Sequence, residues 1–178
     1  MKFLNLLFSA FLVGASPQTI PDPDGWVSVE RPDVYQEEFP EEEQGIWVVF
    51  SKEMEGEKFL VRFPDDPQYL YFPGGIQFDA SQGLDRLRLQ VKKKGALEIG
   101  SFFDERVQEI KDTPNAILLK AKRSAGNSRL DLFYRIDEKW VWERILSTPK
   151  LLYTFHTESP EMTGDAHRQF ISSLDVFS

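Results

Sequence analysis

The chain contains only two histidines, His156 and His167, and their imidazoles are the first candidates for chemistry. His156 falls in the last predicted strand, and His167 falls in the predicted final helix near Asp165. Because these elements are consecutive, both imidazoles could meet beside Glu158 or Asp165, and histidines with carboxylates can hold a catalytic metal ion. The alternative is one hydrogen-bonded strand histidine and one solvent-exposed helix histidine. The sequence favours this alternative and predicts no cofactor.

Nucleophilic catalysis has little support. The signatures Gly-x-Ser-x-Gly, Gly-x-x-x-x-Gly-Lys and Gly-x-Gly-x-x-Gly are all absent from the sequence. Residues 147–150, Ser-Thr-Pro-Lys, match Ser-x-x-Lys, a motif that needs a helical turn to bring the amine to the hydroxyl. Pro149 lies between two predicted strands and indicates a turn there instead. We therefore predict no catalytic residue.

Aromatic residues are candidates for a binding surface, since the chain has 15 Phe, 5 Tyr and 4 Trp. Trp140 and Trp142 fall on one face of a predicted strand, and exposed aromatic side chains are typical of binding surfaces. Val141 and Ile145 make the other face of the same strand apolar. Burial of both faces in the core is therefore the favoured interpretation, with a binding surface as the alternative.

An acidic run at residues 37–43 is the second candidate binding segment. It contains Glu41, Glu42 and Glu43, and it could attract a basic partner or hold cations weakly. Such runs are more often solvated loops, and Pro32 and Pro40 support this interpretation. We predict an acidic surface loop over residues 31–45.

Composition narrows the class of partner. The 178 residues include 21 Lys and Arg against 29 Asp and Glu, for a formal net charge of −8. An acidic chain repels phosphate backbones, so nucleic acid is not expected as a partner. The absence of cysteine excludes disulfides and thiolate chemistry. The sequence instead predicts binding to a protein.

The N-terminus has the order of a secretory signal peptide. A short basic start at Lys2 precedes an apolar run of roughly 12 residues, and small residues then stand before Ser16. That run is too short to cross a hydrocarbon layer of about 30 Å. We predict residues 1–15 as the signal peptide and residues 16–25 as a leading loop. The mature chain would have no transmembrane segment and would be periplasmic or secreted, with a weak indication of a bacterial source.

Residues 26–178 are predicted to form one α+β domain. The first helix is expected from Ser101, acting as the cap, to Asp112. The second is expected after a Thr163-Gly164-Asp165 start, with apolar residues at helical spacing at Ala166, Phe170, Ile171 and Leu174. Alternating apolar residues predict strands at 26–29, 46–50, 59–63, 69–72, 76–78, 86–91, 116–121, 130–136, 140–146 and 151–157. Strands with two apolar faces need a layer on each side, so we predict one antiparallel sheet flanked by helices.

Two segments resemble the PsbP-like proteins. The strand 59–63 followed by Pro64 and Pro67 is similar to the strand that opens the sheet in that family. The apolar strand 151–155 and the later segment 166–176, around Phe170, are similar to its closing strand and final helix. The resemblance covers roughly residues 55–178 and implies an α/β/α sandwich around an antiparallel sheet. It also implies a mostly non-enzymatic binding or assembly role after export, as in the founding members of the family, which associate with photosystem II. The acidic stretch 37–43 and the missing metal motif are departures from that family.

These observations give three hypotheses about function. The first is an exported, non-enzymatic module that binds a protein partner in the cell envelope or outside the cell. The second is a metal- or carboxylate-dependent hydrolase that uses His156 and His167 and would need a cleft in which they converge. The third is a structural or chaperone-like surface protein, which an aromatic surface without a cleft would favour.

Overall fold

The computed structural model describes residues 33–38 and 46–177 of the chain. Most of the predicted strands are present, and the hairpin turn at Pro73 and Gly74 is confirmed. The elements in chain order are β1 (Asp33–Glu38), β2 (Ile46–Met54), β3 (Glu57–Phe63), β4 (Gln68–Phe72), β5 (Gly75–Gln82), β6 (Asp85–Lys93), α1 (Ile99–Asp112), β7 (Ala116–Arg123), β8 (Arg129–Ile136), β9 (Lys139–Ser147), β10 (Leu151–Ser159), α2 (Asp165–Ser172) and β11 (Asp175–Phe177).

The strands form two antiparallel sheets instead of the single sheet that the sequence predicts. The smaller sheet has four strands in the order β1-β2-β3-β11, and the larger has seven in the order β4-β5-β6-β10-β9-β8-β7. The meander β7-β8-β9-β10 follows the predicted order. Strand β10 then pairs with β6, which joins the meander to the earlier hairpins.

The first hydrophobic core lies between the two sheets. Alternate residues of β2 and β3 face alternate residues of β5, β6 and β10, as the period of two in a strand requires. Phe50, Phe63 and Phe78 meet at centroid distances of 5.4–5.7 Å. Phe170 of α2 closes this core against Phe63 and Phe155 and is fully buried. Helix α2 therefore seals one end of the space between the sheets.

The second core lies between α1 and the opposite face of the seven-stranded sheet. Phe103 and Ile110 of α1 are buried against Leu130, Leu132 and Val141. The antiparallel α+β class is thus confirmed. The predicted α/β/α layering differs on one side, because there the four-stranded sheet supplies most of the covering layer and α2 only completes it.

The first helix begins earlier than predicted. Glu98, not Ser101, is its N-cap, and the Glu98 carboxylate accepts hydrogen bonds from the backbone N–H groups of Gly100 and Ser101. These bonds lower the pKa of Glu98, with the bond from Ser101 contributing most. A carboxylate satisfies the first free N–H groups of a helix as well as a serine hydroxyl does, so a cap assigned by residue type alone was misplaced by three residues.

Two further predictions are wrong near the ends of the described chain. Residues 33–38, expected within an acidic loop, form β1 and pair with β2, because tertiary pairing overrides the unfavourable charge pattern. The second helix ends at Ser172, so it includes neither Leu174 nor the rest of the segment to Val176. The Ser173 hydroxyl lies within hydrogen-bond distance of the carbonyls of Phe170, at 2.7 Å, and Arg62, at 3.1 Å, and β11 then pairs with β3. Leu174 keeps its helical spacing in sequence but lies beyond the helix.

Several predicted segments lie outside the described residues. These are the signal peptide at 1–15, the leading loop at 16–25, the strand at 26–29 and the glutamates Glu41, Glu42 and Glu43. Within the described part of the chain, neither helix has the length and apolar character needed to cross a membrane.

Candidate functional site: a basic aromatic groove

The two faces of the seven-stranded sheet carry different groups over strands β7 to β10. We call the face beneath α1 the α1 face and the opposite one the groove face. Cross-strand partners share a face, so the pairing register gives three rows on the groove face. The rows are Ile117–Arg135–Trp140, Lys120–Phe133–Trp142 and Lys122–Asp131–Arg144.

Three aromatic rings form the floor of the groove face. The ring of Phe133 lies between those of Trp140 and Trp142, stacked on each at centroid distances of 5.7 and 5.0 Å. The guanidinium of Arg135 lies 5.5 Å from the centre of the Trp140 ring. All three rings are half-buried. The expected burial of both tryptophans in the core is therefore wrong, because no described layer fully covers this face.

Helix α2 forms one wall beside this floor. Gly164 precedes the helix with a φ of 67°, and a side chain there would place its Cβ only 2.9 Å from the Trp142 ring. Both the left-handed backbone and the close approach require glycine. The His167 ring stacks on Trp142 at 6.4 Å, and its Nδ1 lies 3.0 Å from the Thr157 hydroxyl. These contacts fix Trp142 against the helix.

The groove is basic. It encloses about 380 Å³ and is lined by five cationic side chains: Lys120, Lys122, Arg129, Arg144 and Arg168. The Asp131 carboxylate lies 2.5 Å from the Arg144 guanidinium and 3.2 Å from that of Arg129, so one carboxylate serves two arginines. Lys120 and Lys122 have no ion-pair partner among the described residues. Positive charge is therefore available to an incoming group.

His167 contributes no charge to the groove near neutral pH. Its burial, together with the nearby Arg144 guanidinium, lowers its pKa to about 3. The neutral ring can stack on Trp142 without adding a buried charge. The prediction of a solvent-exposed helix histidine is therefore wrong: His167 is buried against the aromatic floor and does not supply a cation.

The α1 face holds an enclosed cluster of ionised groups. The Glu143 carboxylate, whose side chain is 1% exposed, receives two hydrogen bonds from Arg106 of α1, at 2.8 and 2.7 Å. The Tyr134 hydroxyl lies 3.5 Å from the same carboxylate. Burial alone would raise the pKa of Glu143, but the bonds from Arg106 and His156 outweigh it and give a pKa of about 2. The carboxylate stays ionised and paired.

His156 extends this cluster towards solvent. Its Nδ1 lies 3.4 Å from Glu143 and its Nε2 lies 3.3 Å from Glu158, which also pairs with Lys139 at 2.8 Å. Burial opposes protonation of the imidazole, but the two carboxylates outweigh it and raise the pKa of His156. The hydrogen bond with His156 and the bond with Lys139 hold the pKa of Glu158 at about 2. Each charge here has a partner of opposite sign.

A cleft of about 390 Å³ opens beside His156 at the ends of β5, β6 and β10. Its walls combine acidic side chains with arginines, and Arg88 already pairs with Asp79 at 2.6 Å. The described residues contain no group of three or more side chains arranged to hold a metal ion. The cleft therefore offers mixed charges, of which Arg88 pairs with Asp79 and His156 with Glu158.

The structure does not bring the two histidines together. Residues 156 and 157 of β10 point to opposite faces of the sheet, and His156 contacts Glu143 on the α1 face. Thr157 meets His167 on the groove face. The sheet thus lies between the imidazoles, which cannot ligate one ion. Trp140 and Trp142, in contrast, do lie together on an accessible surface.

Sequence reasoning missed the cationic residues of the groove. The alternation of Leu130, Leu132 and Tyr134 predicts one apolar face of the strand, while Arg129, Asp131 and Phe133 alternate on the other face. The register that places them beside Trp142 and Lys120 is a tertiary property that periodicity does not supply. Glu143 did carry a signal, since it stands between Val141 and Ile145 on an apolar face. A carboxylate in that position requires a buried partner.

Comparison with solved structures finds the solution structure of cyanobacterial PsbP (CyanoP) from Synechocystis sp. PCC 6803. The alignment covers 72% of this chain and 91% of that chain, with 16% sequence identity and a TM-score of 0.49. The sequence resemblance to PsbP-like proteins is thereby confirmed as a structural similarity. At this identity and TM-score the similarity says nothing about function. No family model and no curated protein matches the chain.

Proposed function

We propose that this chain is an exported, non-enzymatic module that binds an acidic segment of a partner protein in the groove between α2 and strands β7 to β9. One observation carries the proposal: an aromatic floor open to solvent and bordered by five cationic side chains, in a chain of formal net charge −8. In an acidic protein, cations gathered in one groove are a local reversal of the overall charge. Such reversals attract ligands of the opposite sign.

The aromatic floor adds contact area to the charge. Stacked rings held by their neighbours lose little conformational freedom on binding, so they are efficient anchors at interfaces. Arg135 on Trp140 and Lys120 beside Phe133 also place cations at the rim, where partner carboxylates would meet them. A peptide with acidic and apolar side chains would match both parts of the groove.

The overall charge argues for a protein partner over nucleic acid. Nucleic-acid binding depends on neutralising many phosphates along a continuous basic surface. Here the five clustered cations line a groove of about 380 Å³ within a chain that has eight more acidic than basic residues. A short acidic peptide segment can enter the groove without bringing a long anionic backbone against the rest of the surface.

The hydrolase alternative has lost the geometry on which it was based. It required His156 and His167 to converge, and the sheet separates them. His156 is also held between the Glu143 and Glu158 carboxylates, so both of its ring nitrogens already have partners in the ionised cluster. Export rests on the order of basic, apolar and small residues at positions 1–15. Mass analysis of exported protein should show a chain that begins near Ser16, and an intact Met1 would contradict export with cleavage.

Selection from a display library of random short peptides tests the binding function. The purified protein should enrich peptides that contain Asp or Glu next to apolar residues. The variant Lys120→Glu/Lys122→Glu should lose this enrichment, because it reverses the charge along one side of the groove. Lys58 and Lys111 are exposed and distant in the fold, so Lys58→Glu/Lys111→Glu makes the same change in net charge as a control.

Both double variants should keep the free energy of unfolding of the parent within about 0.5 kcal/mol, since exposed lysines contribute little. Equal enrichment by the two variants would contradict the groove as the binding site. Preferential binding of a single-stranded oligonucleotide over every acidic peptide would instead make nucleic acid the ligand.

A further inference from the structure

Strand β7 forms an open edge beside the groove. It pairs with β8 on one side, and no described strand pairs with its other side. An edge strand presents a row of unpaired N–H and C=O groups that can template another strand. Two large apolar side chains on β7 are strongly exposed, Ile117 at 58% and Leu119 at 51%. The edge thus combines free main-chain groups with uncovered apolar surface.

The positive charge of β7 indicates which kind of strand could bind along that edge. Lys120 and Lys122 lie on the groove face of the strand and continue the rows of Phe133 and Asp131. Pairing of β7 with β7 of a second copy would bring these lysines close to their counterparts, and like charges across a strand pair are destabilising. An acidic strand would face both lysines with opposite charge. Charge therefore disfavours a second copy and favours an acidic segment.

We propose that the acidic partner segment binds as an eighth strand along the outer edge of β7, with its side chains on one face reaching into the groove. This inference rests on the proposed function and specifies how the segment is held. Main-chain hydrogen bonds to β7 would supply affinity, and side-chain contacts with the groove would supply specificity. The seven-stranded sheet would be extended in its own plane.

The register makes the inference specific. Neighbouring strands lie about 4.8 Å apart, and residues two apart on one strand are separated by about 6.7 Å on the same face. An added strand therefore places two acidic residues at alternate positions opposite Lys120 and Lys122. A following apolar residue on the same face would lie over Ile117. The expected recognition pattern is two acidic residues at alternate positions with an apolar residue beyond them.

Edge protection is the competing explanation. Lysines and bulges on edge strands prevent unwanted pairing, and β7 has a register shift between Leu118 and Lys120. On this explanation a peptide in the groove would make side-chain contacts only. The two cases differ in whether the main chain of β7 takes part, which is the property to measure.

The test uses a fluorescent peptide containing Glu-Thr-Glu-Thr-Ile-Thr-Val and two N-methylated forms of it. One form is methylated at the backbone nitrogens of one alternate set of residues, and the second form at those of the other set. In an added strand only one alternate set of N–H groups points at β7. We expect methylation of that set to weaken binding more than about tenfold, and methylation of the other set to change it less than about twofold. Amide hydrogen exchange of β7 should slow when the unmodified peptide binds.

Each outcome separates this inference from the function on which it rests. If both methylated forms bind alike and β7 amides stay unprotected, while Lys120→Glu/Lys122→Glu still abolishes binding, the groove function stands and the added strand is wrong. If the unmodified peptide does not bind at millimolar concentration, the added strand is also wrong, whatever the display selection finds. If the lysine variant binds acidic peptides as well as the parent does, the groove function itself fails.

Discussion

The two faces of the seven-stranded sheet hold their charges in opposite ways. On the α1 face, Glu143, Arg106, His156 and Glu158 pair with one another, and a helix covers most of the cluster. On the groove face, five cations line an open space: Arg129 and Arg144 share the Asp131 carboxylate, Arg168 pairs with Asp165, and Lys120 and Lys122 have no ion-pair partner among the described residues. Paired buried charges contribute to the choice of one packing arrangement, whereas unpaired surface charges remain available to a ligand.

This contrast indicates where function lies. Perturbed pKa values are concentrated on the α1 face, and such values are often used to locate active sites. Here they have a structural explanation, because each shifted group has a neighbour of opposite charge. The groove face has fewer shifted groups and more exposed aromatic and cationic surface. The accessible face is the better candidate for binding.

Truncation of the core side of α2 should have the largest effect. Phe170 is fully buried between the sheets, so Phe170→Ala should lower the free energy of unfolding by about 3–5 kcal/mol. Ile171, next in sequence, is half-buried at the groove, and Ile171→Ala should cost about 1–2 kcal/mol. Urea unfolding measures both. A loss below about 1 kcal/mol for Phe170→Ala would mean that α2 does not anchor the groove wall to the core.

Replacing one arginine on each side of the sheet should show that the buried ion pair contributes more to the free energy of unfolding than the exposed one. Arg106→Leu leaves the buried Glu143 carboxylate without its main partner and should cost about 3 kcal/mol. Arg168→Leu removes an arginine whose pair with Asp165 is exposed, and should change the free energy of unfolding by less than about 0.5 kcal/mol. Arg106→Leu/Glu143→Leu should recover much of the loss. Equal costs for the two single variants would show that the α1 cluster is not effectively buried.

His167, the histidine on the groove face, should lower the free energy of unfolding at acidic pH. The pKa of His167 is lowered from 6.5 to about 3, so below pH 6.5 the unfolded chain binds a proton that the folded chain does not bind until about pH 3. Stability therefore falls as the pH falls through this window. His167→Gln should reduce the fall measured by urea unfolding at a series of acidic pH values. An unchanged pH profile would show that His167 is solvated in the folded chain.

His156, the histidine on the α1 face, should change the pH dependence of stability in the opposite direction and by a smaller amount. Its pKa is raised above 6.5, so its contribution to stability is complete below pH 6.5 and is lost as the pH rises through the folded-state pKa. In the parent protein, the free energy of unfolding should therefore decrease as the pH rises above 6.5, and this decrease should be smaller in His156→Gln. Proton NMR titration should place the two imidazoles on either side of 6.5, and a reversed order would contradict the assignment of the two faces.

Local patterns predicted the elements better than the site. The alternation in β3, β6 and β8 and the helical spacing around Phe103 and Phe170 were sufficient for the α+β class and much of the core. The split into two sheets was not predictable, because the pairing of β10 with β6 and of β11 with β3 joins residues far apart in sequence. The groove depends on the same kind of pairing. Trp140 and Trp142 were identified by residue type, but Lys120 and Lys122 become their neighbours only through the register.

The position of β10 between β6 and β9 also predicts an order of folding. The meander β7 to β10 and the helix α1 make contacts that are local in sequence, and local contacts form first because they close short loops. The pairing of Lys93 with Leu151 must close a much longer loop, and the pairing of Leu60 with Asp175 a longer one still. We expect amides of β8 and β9 to become protected before those of β3 in pulsed hydrogen exchange. The groove floor would then be assembled while the space between the two sheets is still open, and β11 would complete the molecule last.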